Sequence, residues 1–427
     1  MRGPLRRWIF VGSAAAILML PVGTPAQVKP GDRITAANAA QVKDLVSPGT
    51  YVAVSKGMEI DVVAPQRIDL PPPYYDATEK YAYQVRLSPD RRSLIGYVAG
   101  APFPLLDPND PDVATKIMWN TQFRPITTDD FDLRFFECHV ATFHPGAPGN
   151  DLLFSQIGHL AGYSNIGRTE VEPLPADPDF RKTGVWRLAA AYPLISPAEH
   201  KGTGGLRYRY WDADRGDDAW IYLAPSRRVR RLNEVILTSS PGLSTWDADH
   251  SGGFAAKPQE YNYKFLGSRD MLASVHAIHS PAHVCPSDGH VTSCPEDWEM
   301  RHLYIVEATP RSERITGLLQ SKTIIYVDAE AWYNPYVDSY DRRDQLWKTQ
   351  IYWLTYRDRP VPDARIAIYP FKRQFVLAAS SVDVQTGIAT TCYLPGHETP
   401  ERECWYINMG AVHRDFFTTE AMARAGH

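Results

Sequence analysis

The chain has 427 residues, with 45 Lys plus Arg against 49 Asp plus Glu and a formal charge of −4. Charged residues are 22% and hydrophobic residues 44%, a globular balance that excludes wholesale disorder, and the near-neutral charge argues against a dedicated nucleic-acid binder. Eleven Trp, 23 Tyr and 35 Pro favour short strands and loops over long helices.

The N-terminus has the parts of a secretory signal peptide. Arg2, Arg6 and Arg7 precede an apolar run from Trp8 to Val22, and Thr24-Pro25-Ala26 follows. The run is too short to cross a hydrocarbon core of about 30 Å as a comfortable helix, which leaves an uncleaved anchor as the weaker alternative. Cleavage is expected after Ala26, giving a mature chain of residues 27–427 with 42 basic and 49 acidic residues. No second segment is apolar enough to cross a membrane, so the expected location is the periplasm.

Thr35 reads as the N-cap of an amphipathic helix to Val46, with Ser47-Pro48-Gly49 as its stop. A second helix is expected from Asp110 to Phe123 and a third from Thr418 to Arg424. Between them the pattern is that of strands. Leu206, Tyr208 and Tyr210 alternate with Arg207 and Arg209, and Thr323 to Val327, Trp347 to Tyr356 and Val376 to Val384 read likewise. Turn clusters recur at Ser88-Pro89-Asp90, Asp107-Pro108-Asn109, Pro145-Gly146 and Asp338-Ser339-Tyr340-Asp341. Strand following strand favours antiparallel pairing, and no linker divides residues 27–427. The fold class is therefore α+β and mostly β, a large antiparallel sheet with a few helices in one domain.

Five cysteines lie beyond the signal segment. In an oxidising compartment Cys285–Cys294 and Cys392–Cys404 read as disulfides closing short loops, with Cys138 left as a small buried hydrophobe. Zinc is the alternative at the first pair, where His276, His279, His283 and His290 crowd together. The Cys spacing is wider than zinc sites use, so no metal is expected. Asp247-x-Asp249-x-Ser251-Gly252 copies half of a calcium loop, but the position that needs a bidentate Glu holds Pro258. No nucleophile elbow, H-E-x-x-H, P-loop or dinucleotide fingerprint occurs. No catalytic residue and no cofactor is named, although a site assembled in space around His276, His279 and His283 remains the enzyme alternative.

Residues Arg227 to Leu232 place four arginines within five positions. As a strand they would be basic on both faces, with Arg228 and Arg230 sharing one. The bland reading pairs them with Asp214, Asp217 and Asp218 on a solvated edge. The functional one sets Arg228 and Arg230 at a cavity mouth as anchors for a carboxylate or phosphate head group. Trp211, Trp220, Tyr222, Trp332 and Trp353 lie on strand-like segments, and most such rings pack as core. The same residues are the candidate lining of an apolar groove.

An ordered series of motifs carries a family resemblance. Gly31-Asp32-Arg33-Ile34-Thr35, Tyr97-Val98-Ala99-Gly100-Ala101-Pro102-Phe103-Pro104, Trp211-Asp212-Ala213-Asp214-Arg215, Asp217-Asp218-Ala219-Trp220-Ile221-Tyr222, Arg227-Arg228-Val229-Arg230-Arg231 and Tyr326-Val327-Asp328-Ala329-Glu330-Ala331-Trp332 follow one another over nearly the whole mature chain. Together they resemble a proteobacterial exported family of unknown function described as outer-membrane lipoprotein-sorting-like. The resemblance implies the fold of the LolA/LolB lipoprotein carriers, an open curved half-barrel with helices across its concave face. It also implies a carrier of a lipid or other hydrophobic molecule, working with a resistance-nodulation-division type transporter or an outer-membrane protein; the chain is expected to be a monomer. An outer-membrane assembly factor is a further alternative.

Overall fold

The structure is a computed structural model that describes residues 28–142, 152–232, 245–246, 249, 252–311, 320–398 and 405–426. The signal segment, Pro145-Gly146, Asp247 and Cys404 lie outside these residues. At the N-terminal end β1 (Arg33–Ile34) pairs with β2 (Ile60–Val62), and β3 (Arg86–Leu87) with β4 (Leu94–Ile95) in a separate ribbon. A first meander runs through β5 (Asp130–Thr142), β6 (Leu152–Ser164), β7 (Val185–Ala191), β8 (Gly204–Tyr210), β9 (Asp218–Leu223) and β10 (Arg228–Leu232). A second comprises β11 (Tyr261–Ala273), β12 (Glu296–Pro310), β13 (Gln320–Asp328), β14 (Tyr336–Asp341), β15 (Leu346–Arg357), β16 (Arg373–Asp383) and β17 (Ile388–Tyr393). Strand β18 (Trp405–Ile407) returns to pair with β5.

Antiparallel pairing of β17 with β5 fuses the two meanders into one 16-stranded sheet. Among the described residues its hydrogen-bonded path starts at β1 and ends at β10 without closing, an open, curved half-barrel. All neighbours are antiparallel except β2 and β12. Register shifts at Arg134/Phe136, Phe265/Gly267 and Trp353/Leu354 add local bend and twist to the long strands.

The seam between meanders corrects one disulfide. Cys138 of β5 faces Cys392 of β17 in register, and these two are bonded to each other. Cys392 therefore does not pair with Cys404, and Cys138 is not a leftover thiol. Proximity along the chain suggested a short loop, whereas antiparallel register brings together cysteines separated by 254 positions. Cys285 and Cys294 are bonded as expected.

Helices cover both sides of the sheet. Side chains alternate along β13, so Ile324 and Tyr326 join one core cluster while Ile325 and Val327 join another. The first cluster is covered by α1 (Pro48–Ser55) and the second by α3 (Val113–Gln122), which buries Val113, Ala114, Ile117 and Met118; α2 (Pro72–Tyr81) lies between them in the chain. The short α4 (Asp179–Thr183) precedes β7, and α5 (Thr419–Ala425) packs beneath β8 to β10.

Three local expectations change. Thr35 does cap, but the element it opens is a 3₁₀ segment, Ala36–Val42, broken at Asn38, whose side chain bonds back to the Thr35 N–H. Ser47-Pro48-Gly49 is a start rather than a stop: Ser47 caps α1 and Pro48 takes its first turn, where no N–H is needed. The turn expected at Asp338 to Asp341 is the end of strand β14, because Asp338 is buried against the start of α1.

Candidate functional site

On the α3 side of the sheet, strands β5 to β9 wall a cavity of about 340 Å³. Register orders its wall. One inward row runs Leu160, Ala191, Gly205; the next runs Phe131, Gly162, Ala189, Arg207; a third holds Ser164, Arg187 and Arg209. The wall thus changes from apolar to cationic over three successive rows. Val376 and Trp405 close the apolar end, and Arg124 and Tyr333 stand at the cationic one. At Gly162 a Cβ would lie 2.2 Å from the Phe131 ring, so the ring occupies the space a side chain would take.

The opposite face of the same strands is aromatic. Leu206, Tyr208 and Tyr210 pack with Phe417 and Met422 beneath α5. The alternation Arg207-Tyr208-Arg209-Tyr210 therefore describes a strand covered on both sides, and its arginines need internal partners. Arg209 donates to Asp217 at 2.9 Å and to Asp249 at 3.3 Å, and Arg207 donates to Asp249 at 3.1 Å. Asp249, the last acid of the half calcium loop, is thus paired with arginines. Glu260 sits beside them; burial, then Asp249 and Asp217, push its pKa up to about 7.

The other two arginines are partnered differently. Arg124 donates to Thr121 O at 2.8 Å and Gly252 O at 2.7 Å, and stacks over Tyr333 at 5.2 Å. Arg187 donates to Gln122 O at 2.8 Å. Both therefore meet the last carbonyls of α3, where cations are favoured. Among the described residues neither forms an ion pair with a carboxylate. Burial, then the guanidiniums of Arg124, Arg209 and Arg207, push the pKa of Arg187 down to about 9, still cationic at neutral pH. Asp129 and Asp130 also touch the cavity, but Asp129 accepts the backbone N–H groups of Thr169, Glu170 and Val171, and Asp130 those of Gly410 and Ala411.

The seven candidate ligand residues are dispersed. Trp353 is fully buried in the α1 cluster, and Trp332 packs under α3. Trp211 lies among Tyr97, Trp119, Phe123, Phe180 and Trp186, which tie α3 to β7. Trp220 touches the cavity wall while its ring packs edge-on against Tyr208 at 5.0 Å, and Tyr222 is buried against Gly426. Arg228 and Arg230 lie exposed on edge strand β10, opposite Leu223 and Ile221 and outside the cavity lining. Their neighbour Arg231 pairs with Asp218. The histidines spread over two buried acids: His276 meets Glu299 at 3.0 Å and His279 meets Glu296 at 2.8 Å, with the His283 ring tilted against that of His279. No group of three metal-ligating side chains forms among the described residues.

The uncharacterized protein PA3922 of Pseudomonas aeruginosa is 22% identical over 364 residues, covering 77% of this chain and 70% of its own. An outer membrane lipoprotein-sorting protein domain from Vibrio parahaemolyticus superposes with a TM-score of 0.47 at 14% identity, over 72% of this chain and 97% of that one. A DUF1329 family protein from Desulfovibrio piger gives 0.44 at 15% (69% and 92% covered), and a LolA superfamily protein from Nitrosomonas europaea 0.39 at 13% (72% and 98%). A family model described as Protein of unknown function (DUF1329) matches residues 33–423, so the chain belongs to the DUF1329 family.

Proposed function

We propose that the protein is an exported carrier that binds a hydrophobic molecule and shields it from water. The observation that supports this most is the cavity and the way its wall is kept clear. Gly205 occupies an inward position, the second of β8, where a glycine leaves a strand without a side chain to pack. A Cβ added there would meet nothing nearer than Trp220 O at 3.8 Å, so the position opens on the cavity. Ala189 and Ala191 extend the same surface, while the Phe131 ring fills the place beside Gly162. Each CH₂ of a ligand withdrawn from water there is worth about 0.8 kcal/mol, so a chain-like apolar molecule needs space more than reactive groups.

Two disulfides support an oxidising compartment, and the N-terminal Arg2 to Ala26 pattern supports export to it. Among the described residues no helix is long and apolar enough to cross a membrane. A transporter of the resistance-nodulation-division type, or an outer-membrane protein, is the proposed source or recipient of the cargo. The residues from Pro102 to Trp119 are the proposed moving cover; they now fold back through Asn120, which bonds the Phe103 N–H and C=O at 2.9 and 2.8 Å.

Titration with an apolar fluorescent probe tests the reading. The protein is expected to bind one probe per chain, and Gly205→Leu to bind about tenfold more weakly with unchanged circular dichroism and thermal midpoint. Failure of the unaltered protein to bind any apolar probe would refute the carrier reading.

A further inference from the structure

The cationic end of the cavity is more than the fold requires. Of the four arginines that meet there, Arg207 and Arg209 are answered by Asp217 and Asp249. Arg187 lies directly across the β7–β8 pair from Arg209, a like-charge pairing that a sheet does not favour by itself. Arg124 is buried, at 9% exposure, and its Nε has no hydrogen-bond partner among the described residues. Tyr333 Oη, on the same wall, is likewise buried without one. Each guanidinium carries five N–H donors. Capping α3 uses one described bond from Arg187 and two from Arg124, counting that to Gly252. Donors are therefore left over at the place where the apolar wall ends.

Building on the carrier reading, we propose that the cargo is an amphiphile with one anionic head group, a carboxylate or a phosphate, held between Arg124 and Arg187 while its apolar tail lies along Ala189, Ala191 and Gly205. Planar guanidiniums match both oxyanions with paired N–H···O bonds, and the Tyr333 hydroxyl adds a neutral donor. A volume of about 340 Å³ is at the small end of ligand pockets, which fits one tail better than several. Arg228 and Arg230, the head-group anchors expected from sequence, stand outside this site.

The test uses the full chain as exported and three fluorescent probes with the same acyl tail: a fatty acid, a lysophosphatidic acid and the neutral fatty alcohol. The unaltered protein is expected to bind at least one anionic probe about 10- to 100-fold more tightly than the alcohol, the range for hydrogen bonds to a charged group. Which anion wins separates a carboxylate head from a phosphate one. Arg187→Gln should bring the anionic probe down to about the alcohol's affinity, and Arg187→Lys, which keeps charge without the fork, should restore part of the difference. Equal affinity for all three probes would overturn the head-group assignment, leave the carrier reading standing and reduce both arginines to caps of α3. Absence of binding by any probe would instead overturn both. Because the probe comparison is made on the unaltered protein, it decides the matter even if Arg187→Gln fails to fold.

Discussion

Arg209 is 3% exposed and has two carboxylates within reach, so its removal would strand Asp217 and Asp249 in a water-poor site. Arg209→Met is expected to destabilise the protein by about 3–5 kcal/mol, measured by urea denaturation. Glu260, beside them, behaves in the opposite sense. Its folded pKa of about 7 lies above the ordinary 4.5. Below that ordinary value both folded and unfolded states hold the proton and the group contributes nothing. Between pH 4.5 and 7 the unfolded chain releases the proton first, so the penalty grows as pH rises and is complete above 7. Glu260→Gln should match the parent near pH 4.5 and exceed its stability at pH 8 by on the order of 1–2 kcal/mol. Denaturation at the two pH values decides this; equal stability at both would remove Glu260 from the account. Arg207 and Arg209 were legible in sequence as one face of a strand, and the aromatic residues between them were the signal that both faces are covered. Arg124 and Arg187 carried no such signal, because their meeting depends on where α3 ends relative to β7.

At the scale of elements, α1 shows how a local pattern is decided by a distant residue. Ser47, Pro48 and Gly49 match a helix start as well as a helix stop; the buried Asp338 carboxylate, which accepts the Gly49 N–H at 2.9 Å, selects the start. A Cβ on Gly49 would lie 2.2 Å from Thr349 Oγ1, so Gly49→Ala should destabilise the fold by about 1–3 kcal/mol in thermal or urea unfolding. Long strands were the most readable elements, since β13, β15 and β16 keep β-branched and aromatic runs that tertiary packing does not override. The disulfide between β5 and β17 was not readable, because strand register across 254 positions leaves no trace in spacing. Thiol labelling under denaturing, non-reducing conditions should find one free cysteine, and peptide mapping should place it at Cys404 rather than Cys138. Cys392→Ala should lower stability by about 2–5 kcal/mol, because the bond staples the seam between the two meanders.

At the scale of the whole molecule, the sheet explains why the candidate aromatics scattered. A sheet covered on both sides has two cores to fill, and Trp353, Trp332, Trp211 and Tyr222 fill them. Of the candidate aromatics Trp220 alone touches the cavity, whose wall on β6 to β8 is instead made largely of what sequence reading passes over: glycines and alanines on one face, with arginines at their end. Such a surface offers room and a charge gradient, which is what an amphiphile crossing an aqueous compartment requires. The most direct test is to purify the protein from cells without adding any ligand, extract it with organic solvent and identify by mass spectrometry what is released. The account requires an apolar compound at about one per chain, lost from Gly205→Leu. A chain that yields no such compound, and yields none from the unaltered protein after incubation with envelope lipids, would contradict it.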